Sequence, residues 1–247
     1  MTTSEQLPGT DPSGLQTLED LAAARQFNRW MFDVIRPWCK GHVLEAGSGI
    51  GNLSAVFLEQ QLTLTTSDLR EEYCQVLQEK FGNHPYFNGV VAMDLSIPDF
   101  DTRHASLLQQ FDTVVALNVI EHIENDQLAI RNCRSLLQPG GQMVILVPAY
   151  QSLYNSFDKE LGHFVRYTKD RLQQLLKGQH LEIIHASYFN AAGILGWAMN
   201  GSLLKKKTIP RNQLLLFDKL VPVFKLIDSI TFHRVGLSVI AIGRKAS

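Results

Sequence analysis

One short segment, HVLEAGSGIGNLS at residues 42–54, constrains the fold more than any other part of this 247-residue chain. Apolar Val43 and Leu44 end a predicted buried strand, glycines follow at every second position, and a helical apolar pattern begins after them. A strand, a glycine loop and a helix form the first half of a nucleotide-binding βαβ unit. Glycine suits the loop because a Cβ would hold a ligand away from the backbone. The segment therefore predicts an α/β fold with a ligand site after its first strand.

The spacing of the glycines separates two classes of nucleotide-binding protein. A dinucleotide loop, G-x-G-x-x-G, would need glycine at position 52, where the chain has Asn52. The loop instead starts with Glu45, whose carboxylate would repel a pyrophosphate but suits an ammonium or sulfonium charge. The pattern E-x-G-x-G-x-G resembles motif I of the class I S-adenosylmethionine-dependent methyltransferases. A nicotinamide-dependent oxidoreductase of Rossmann type is the alternative, and the missing third glycine and the acidic start count against it.

Strand patterns alternate with helical patterns along the chain, which is typical of a parallel sheet with both faces covered. The resemblance implies a seven-stranded, mostly parallel Rossmann-like sheet with an antiparallel last strand, helices on both faces and an inserted lid. Residues 1–14 are predicted to be a disordered tail and 15–247 one domain, with lid or substrate-cover segments at 149–168 and 190–232. Strands are predicted at 42–46, 61–67, 86–92, 111–117, 142–147, 181–188 and 236–243, and helices at 15–35, 52–59, 71–81, 125–137 and 169–176.

The composition argues against several classes of protein. Hydrophobic residues make up 45% of the chain, charged residues 19%, and the net charge of −1 gives no general attraction to nucleic acid. The first residues lack the basic and apolar parts of a secretory signal, and no apolar run reaches the roughly 18 residues of a membrane span. Three scattered cysteines are typical of reduced thiols. We expect a cytoplasmic monomer or homodimer without a nucleic-acid partner and without a metal site.

Polar residues follow the predicted strands at the carboxyl edge, where open α/β sheets bind ligands. Asp68, Asp94 and Asn118 follow the second, third and fourth strands. A carboxylate offers two oxygens to the two vicinal hydroxyls of a ribose, which suits Asp68. An aspartate after a strand is also a common turn former or helix cap, and Asp94 retains that alternative.

The resemblance assigns a role to these positions. Asp68 would bind the ribose with Leu69 beside the adenine, and Asp94 and Leu95 would bind the adenine amine and ring. Glu45 would lie near the ammonium group of the cofactor, S-adenosylmethionine. The full predicted cofactor-binding set is Glu45, Gly47, Ser48, Gly49, Gly51, Asn52, Asp68, Leu69, Asp94, Leu95, Asn118 and Val119.

Residues 118–126, NVIEHIEND, resemble the N/S-x-x-E-H-I-x-D stretch of small-molecule methyltransferases, including those acting on quinones and other lipophilic metabolites. The final acidic residue falls one place later here, at Asp126. The resemblance places Asn118 against the methionine part of the cofactor and Glu121 and His122 beside the methyl-transfer position. His122 is a predicted catalytic base or polar wall, and the alternative is a histidine that caps or packs a helix. The N-P-P-Y box of amino-methylating nucleic-acid enzymes does not occur at position 118.

A second motif lies in the predicted lid. The pattern L-G-H-x-x-R-Y, which recurs in a bacterial branch of the type 11/12 methyltransferases, is matched by Leu161, Gly162, His163, Arg166 and Tyr167. His163 is therefore a second catalytic candidate. For Phe27 and Trp30 the alternative is that they are core residues. For Arg166 the alternative is that it pairs with Asp158 or Glu160 and so holds the loop in place. The predicted substrate-binding residues are Phe27, Trp30, Tyr154, His163, Arg166 and Tyr167.

The predicted function is methyl transfer by in-line displacement to the oxygen, nitrogen or carbon of a small or lipophilic metabolite. A non-catalytic relative that binds S-adenosylmethionine is a further alternative. Lys205, Lys206 and Lys207, followed by the amphipathic stretch LLLFDKLVPVFKLID, suggest peripheral membrane contact through 203–227. A pair of lid helices joined by a solvated basic turn would produce the same pattern.

Overall fold

A computed structural model describes residues 12–204 and 211–247. Within them, seven strands form one sheet in the order β3-β2-β1-β4-β5-β7-β6. β1 to β5 pair in parallel, and β7 is antiparallel to both β5 and β6. The Rossmann-like sheet with an antiparallel last strand is confirmed. The strands are β1 (His42–Ala46), β2 (Thr63–Asp68), β3 (Phe87–Ala92), β4 (Phe111–Leu117), β5 (Leu137–Pro148), β6 (Leu181–Phe189) and β7 (Ser238–Lys245).

Helices cover both faces of the sheet because its central strands are apolar on both sides. Val43, Val115 and Val144 belong to a core cluster that includes residues of α2, α3 and α10. Their neighbours Leu44 and Val114 belong to a second cluster that includes α6 and α8. The helices are α1 (Pro12–Ala22), α2 (Arg25–Ile35), α3 (Ser54–Glu59), α4 (Glu71–Phe81), α5 (Phe100–Arg103), α6 (Asp126–Leu136), α7 (Ser156–Glu160), α8 (Lys169–Gly178), α9 (Gly193–Trp197) and α10 (Arg211–Ile230).

The single helix predicted for residues 15–35 is wrong, because the chain forms α1 and α2 there. The carbonyl of Leu21 accepts hydrogen bonds from Ala24 N at 3.0 Å and from Asn28 Nδ2 at 2.9 Å, which close the end of α1. Because α1 starts at Pro12, residues 12–14 of the predicted tail are helical. Residues 1–11 lie outside the described residues.

β5 begins earlier than its predicted start at residue 142. The Pro139-Gly140-Gly141 turn lies inside the strand, where the pairing with β4 shifts between Phe111 and Thr113 and Gly140 adopts a φ of 74°. Glycine permits this left-handed conformation at no steric cost. The turn therefore interrupts the register of β5 without ending the strand.

The two predicted cover segments contact each other. Residues 149–168 contain α7, and residues 190–232 contain α9, a π-helix (Ala198–Leu203) and α10. Trp197 Nε1 donates to Leu153 O at 3.2 Å, and Ser156 Oγ donates to Gly201 O at 2.9 Å. Lys205, Lys206 and Lys207 lie outside the described residues. No helix in the described part of the chain has the length and apolar character required to cross a membrane.

Candidate functional site

The loop after β1 depends on glycine at two positions. Gly47 and Gly51 have φ values of 69° and 84°. A Cβ on Gly47 would overlap Val119 Cγ2, and one on Gly51 would lie 2.5 Å from Phe81 Cε2. The loop therefore packs tightly against the segment after β4 and against α4, and both contacts fix its shape.

Glu45 lies buried beneath this loop. Ser54 Oγ, in the first turn of α3, donates a hydrogen bond to Glu45 Oε2. Burial raises the pKa of Glu45 to about 7, and the hydrogen bonds from serine oppose that rise. Near neutral pH a nearby cation would therefore readily shift this group to its charged form. Ser54, which the sequence analysis did not single out, is the partner that holds this carboxyl group.

Asp68 links the end of β2 to the glycine loop. Its Oδ2 accepts from Gly49 N at 2.8 Å, and its Oδ1 accepts from Arg70 N at 3.1 Å. Burial raises its pKa, and these backbone hydrogen bonds oppose the shift. Next to it, Leu69 is 64% exposed, so an apolar side chain is presented at the carboxyl edge of the sheet.

The ends of β3 and β4 carry the remaining predicted polar groups. Asp94 Oδ1 accepts from Ser96 N at 2.8 Å and from Ser96 Oγ at 2.6 Å, so this residue does form the turn given as its alternative. Leu95 is buried, and its carbonyl accepts from Asn132 Nδ2 at 2.9 Å. Asn118 is exposed with a φ of 54°, which is uncommon for a residue other than glycine.

Two side chains in the predicted cofactor-binding set make hydrogen bonds within the protein. Ser48 Oγ donates to Glu45 O at 3.0 Å, and Asn52 Nδ2 donates to Leu18 O at 2.8 Å. The Asn52 bond ties α1 to the glycine loop, and the Leu18 side chain lies beside Gly49. The role of Asn52 depends on a contact across the fold, which the local sequence pattern does not reveal.

Beside the loop, the structure brings together three groups: Glu121, His122 and His163. Glu121 and His122 belong to a single 3-10 turn (Ile120–His122) after β4, and His163 returns from the lid. The two imidazole rings are 4.7 Å apart at their centroids and nearly perpendicular. Phe164 N donates to Glu121 O at 2.8 Å, so the backbone joins the two segments.

Asp158 is the centre of a buried network that anchors the lid. Its Oδ1 accepts from Arg166 Nε at 2.7 Å and pairs with His163 Nδ1 at 2.8 Å. Burial alone would raise the pKa of Asp158, but His163 and Arg166 outweigh it and hold the pKa below its ordinary value. Arg166 also donates to Ala149 O and lies over the Trp197 ring. Of the two ion pairs given as alternatives, the one with Asp158 is present.

Four predicted substrate-binding residues have other contacts. Trp30 packs against Phe189 in the core, and Tyr167 is fully buried and donates to Asp126 Oδ2 at 3.0 Å. Both side chains are therefore unavailable to a substrate in this conformation, which corrects the prediction for them. Phe27 is half-buried among aromatic rings, and Tyr154 OH donates to His163 O at 2.7 Å.

Comparison with known proteins agrees with this architecture. A family model described as a methyltransferase domain matches residues 44–143, from β1 into β5. Residues 44–143 thus carry the sequence pattern of a methyltransferase domain. The fold of the chain is similar to that of "a SAM dependent methyltransferase from Archaeoglobus fulgidus", with a TM-score of 0.59 at 17% identity over 90% of this chain and 94% of that one.

Two curated relatives of the methyltransferase domain illustrate the range of its sequence similarity. A ubiquinone biosynthesis O-methyltransferase of Coxiella burnetii is 25% identical over 162 residues, which cover 66% of this chain and 63% of the relative. A probable polyketide synthase of Dictyostelium discoideum is 28% identical over 142 residues, which cover 51% of this chain and 5% of that protein. The chain thus spans less than two thirds of the length of either relative.

Proposed function

We propose that this chain binds S-adenosylmethionine and transfers its methyl group to a small or lipophilic acceptor. The observation that carries the proposal is the link between Asp68 and Gly49, which places a carboxylate against the glycine loop at the carboxyl edge of the sheet. The residues present fit the cofactor. Exposed Leu69 offers an apolar surface to an adenine ring, and the buried carboxyl of Glu45 suits a nearby cation.

The proposed roles follow from the chemistry of each group. Asp68 accepts from the ribose hydroxyls, and Asp94 accepts from the adenine amine through the oxygen that does not serve its turn. Glu45 balances the ammonium charge from beneath the loop. Backbone groups of Asn118 and Val119 flank the methionine portion. When bound, the cofactor supplies a methyl group that is already activated by its sulfonium charge.

For the transfer itself, the chain contributes position and enclosure. Holding an acceptor in line with the methyl group accounts for much of the rate enhancement in such a displacement. The lid anchored by Asp158 and Arg166 supplies a wall near Glu121, His122 and His163. For a hydroxyl acceptor, exposed His122 is the better placed of the two histidines to accept a proton, because His163 is buried and bonded to Asp158.

A lipophilic acceptor is supported by two observations. The Coxiella relative is named for ubiquinone biosynthesis. In addition, α10 carries six exposed large apolar side chains, and all but Leu215 lie on the side away from buried Leu214, Val221 and Asp228. We call these five the α10 apolar surface: Leu216, Leu220, Val223, Leu226 and Ile230. With the basic run Lys205 to Lys207 just before the helix, this surface suits an anionic lipid membrane that holds such an acceptor.

Calorimetry with S-adenosylmethionine and S-adenosylhomocysteine tests the first part of the proposal. We expect one site per chain with a micromolar dissociation constant for each compound, and the absence of binding to folded protein would overturn the proposal. Transfer is tested with radiolabelled S-adenosylmethionine and an organic-solvent extract of cells. Label that enters the organic phase only with active protein supports a lipophilic acceptor, whereas binding without any transfer would favour the non-catalytic alternative.

A further inference from the structure

Glu121 carries a fully buried carboxyl group. Its side chain is 0% exposed, and neither oxygen has a hydrogen-bond partner in the described part of the chain. A buried carboxylate that is left unpaired is costly. The position is therefore favourable for a ligand that brings positive charge.

His163 is oriented by a neighbouring carboxylate. Asp158 Oδ1 accepts a hydrogen bond from Arg166 Nε at 2.7 Å, and because this oxygen is an acceptor, His163 Nδ1 is assigned as the donor in the 2.8 Å bond between them. A neutral imidazole that donates from Nδ1 carries its lone pair on Nε2. Histidines that bind metals are commonly oriented in this way, with the second nitrogen donating to a carboxylate.

The geometry brings three ligand atoms together. One ligand atom from each of Glu121, His122 and His163 lies within 4.8 Å of the other two. Bonds of about 2.1 Å in a tetrahedral site would place such atoms about 3.4 Å apart. An ion would draw the three atoms closer together, and exposed His122 is the ligand expected to move most.

We propose that Glu121, His122 and His163 bind one divalent transition-metal ion and that Asp158 orients His163 for this role. Two imidazoles and one carboxylate favour an ion such as Zn²⁺ over Mg²⁺ or Ca²⁺, which prefer oxygen ligands. Three protein ligands leave a coordination position open. The sequence pattern predicted no metal site because His163 lies far along the chain from Glu121 and His122.

The site lies next to the glycine loop, because Val119, two residues before Glu121, packs against Gly47. An ion there would be placed to bind the oxygen of an acceptor hydroxyl and lower its pKa, with the proton passing to water. His122 would then serve as a metal ligand in place of the proton-accepting role given to it above for the metal-free site. This consequence rests on the proposed methyl transfer, whereas metal binding by itself does not.

Calorimetric titration of chelator-treated, full-length protein with Zn²⁺ alone tests the inference. We expect one ion per chain, a dissociation constant of micromolar or tighter, and a visible absorption band when Co²⁺ replaces Zn²⁺. Glu121→Gln and His122→Ala should each weaken Zn²⁺ binding at least tenfold, and Asp158→Asn about 10- to 100-fold. The matched changes Glu124→Gln and His180→Asn, at exposed positions, should leave Zn²⁺ binding unchanged.

His122→Ala decides the result if the buried variants fail to fold, because His122 is exposed. Wild-type protein that takes up no Zn²⁺, or His122→Ala protein that binds it as tightly as wild type, would overturn the inference. S-adenosylhomocysteine binding is measured on the same samples. If the protein binds Zn²⁺ but not S-adenosylhomocysteine, the result counts against the proposed function alone. If it binds S-adenosylhomocysteine but not Zn²⁺, the result counts against the metal site alone.

Discussion

Asp68 Oδ2 accepts a 2.8 Å hydrogen bond from Gly49 N, so the carboxylate that ends β2 is coupled to the loop that follows β1. Asp68 therefore has two functions in the proposal, to shape the loop and to bind the ribose. A second bond, from Arg70 N to Oδ1, holds the carboxylate in place without the cofactor. The site is in this respect already organised before any ligand binds.

Asp68→Ala should weaken the binding of S-adenosylhomocysteine by about 100-fold. Two hydrogen bonds to a charged group are lost, and each is worth about 1.5 kcal/mol. Asp68→Asn retains one acceptor oxygen and should lose only about tenfold. Calorimetry measures both, with Asp99→Asn as a control because Asp99 is an exposed carboxylate paired with Arg103. Equal affinities of the wild type and the Ala variant would show that the ribose is bound elsewhere.

Gly51→Ala should lower the free energy of unfolding by about 1–3 kcal/mol and weaken S-adenosylhomocysteine binding as well. The added Cβ would lie 2.5 Å from Phe81 Cε2 at a φ of 84°, so both packing and backbone are strained. Urea denaturation measures the loss. Gly178→Ala, at the end of α8 with open space around it, is the control, and its stability should stay within about 1 kcal/mol of wild type. Similar losses in the two variants would contradict the explanation.

The titration of Glu45 should make the free energy of unfolding depend on pH. Burial raises its folded-state pKa from 4.5 to about 7, so its contribution to stability is fully present below pH 4.5 and is lost as the pH rises through 7. The free energy of unfolding without ligand should fall by up to about 3 kcal/mol over this range. Glu45→Gln should flatten the fall, as measured by urea denaturation at several pH values. An unchanged slope in this variant would mean that another group titrates.

Much of the fold follows from local sequence patterns. The apolar and β-branched runs predict β1 and β4 with the bounds that the structure shows, and the other strands within two residues at each end, except β5, which starts five residues earlier than predicted. The mostly parallel seven-stranded sheet, its antiparallel last strand and the position of Asp68 follow from the glycine loop and its resemblance to a known motif. These features depend on neighbours in sequence, and a single chain is therefore enough to recognise them.

Other features depend on contacts that the sequence pattern does not contain. Asn52 bonds to Leu18, which is 34 residues away along the chain, and this bond makes it an anchor for α1. Tyr167 carries a motif pattern, yet its hydroxyl donates to Asp126 within the core. Glu121 becomes an isolated buried carboxyl only because the lid returns across it.

Membrane association is the last prediction, and it depends on the α10 apolar surface. Leu216 and Leu226 are 59% and 60% exposed, and burying each in lipid would contribute about 1 kcal/mol or more. The protein should therefore sediment with anionic phospholipid vesicles at moderate salt, and the double change Leu216→Gln, Leu226→Gln should lower the bound fraction several-fold. Gln213→Ala, at an exposed position of the same helix, is the control. Equal sedimentation of all three proteins, or none, would refute a lipid contact at this surface.

A second outcome would also refute the membrane proposal. If the wild type forms a dimer that the double change dissociates, and does not bind vesicles, then a second copy of the chain covers the α10 apolar surface.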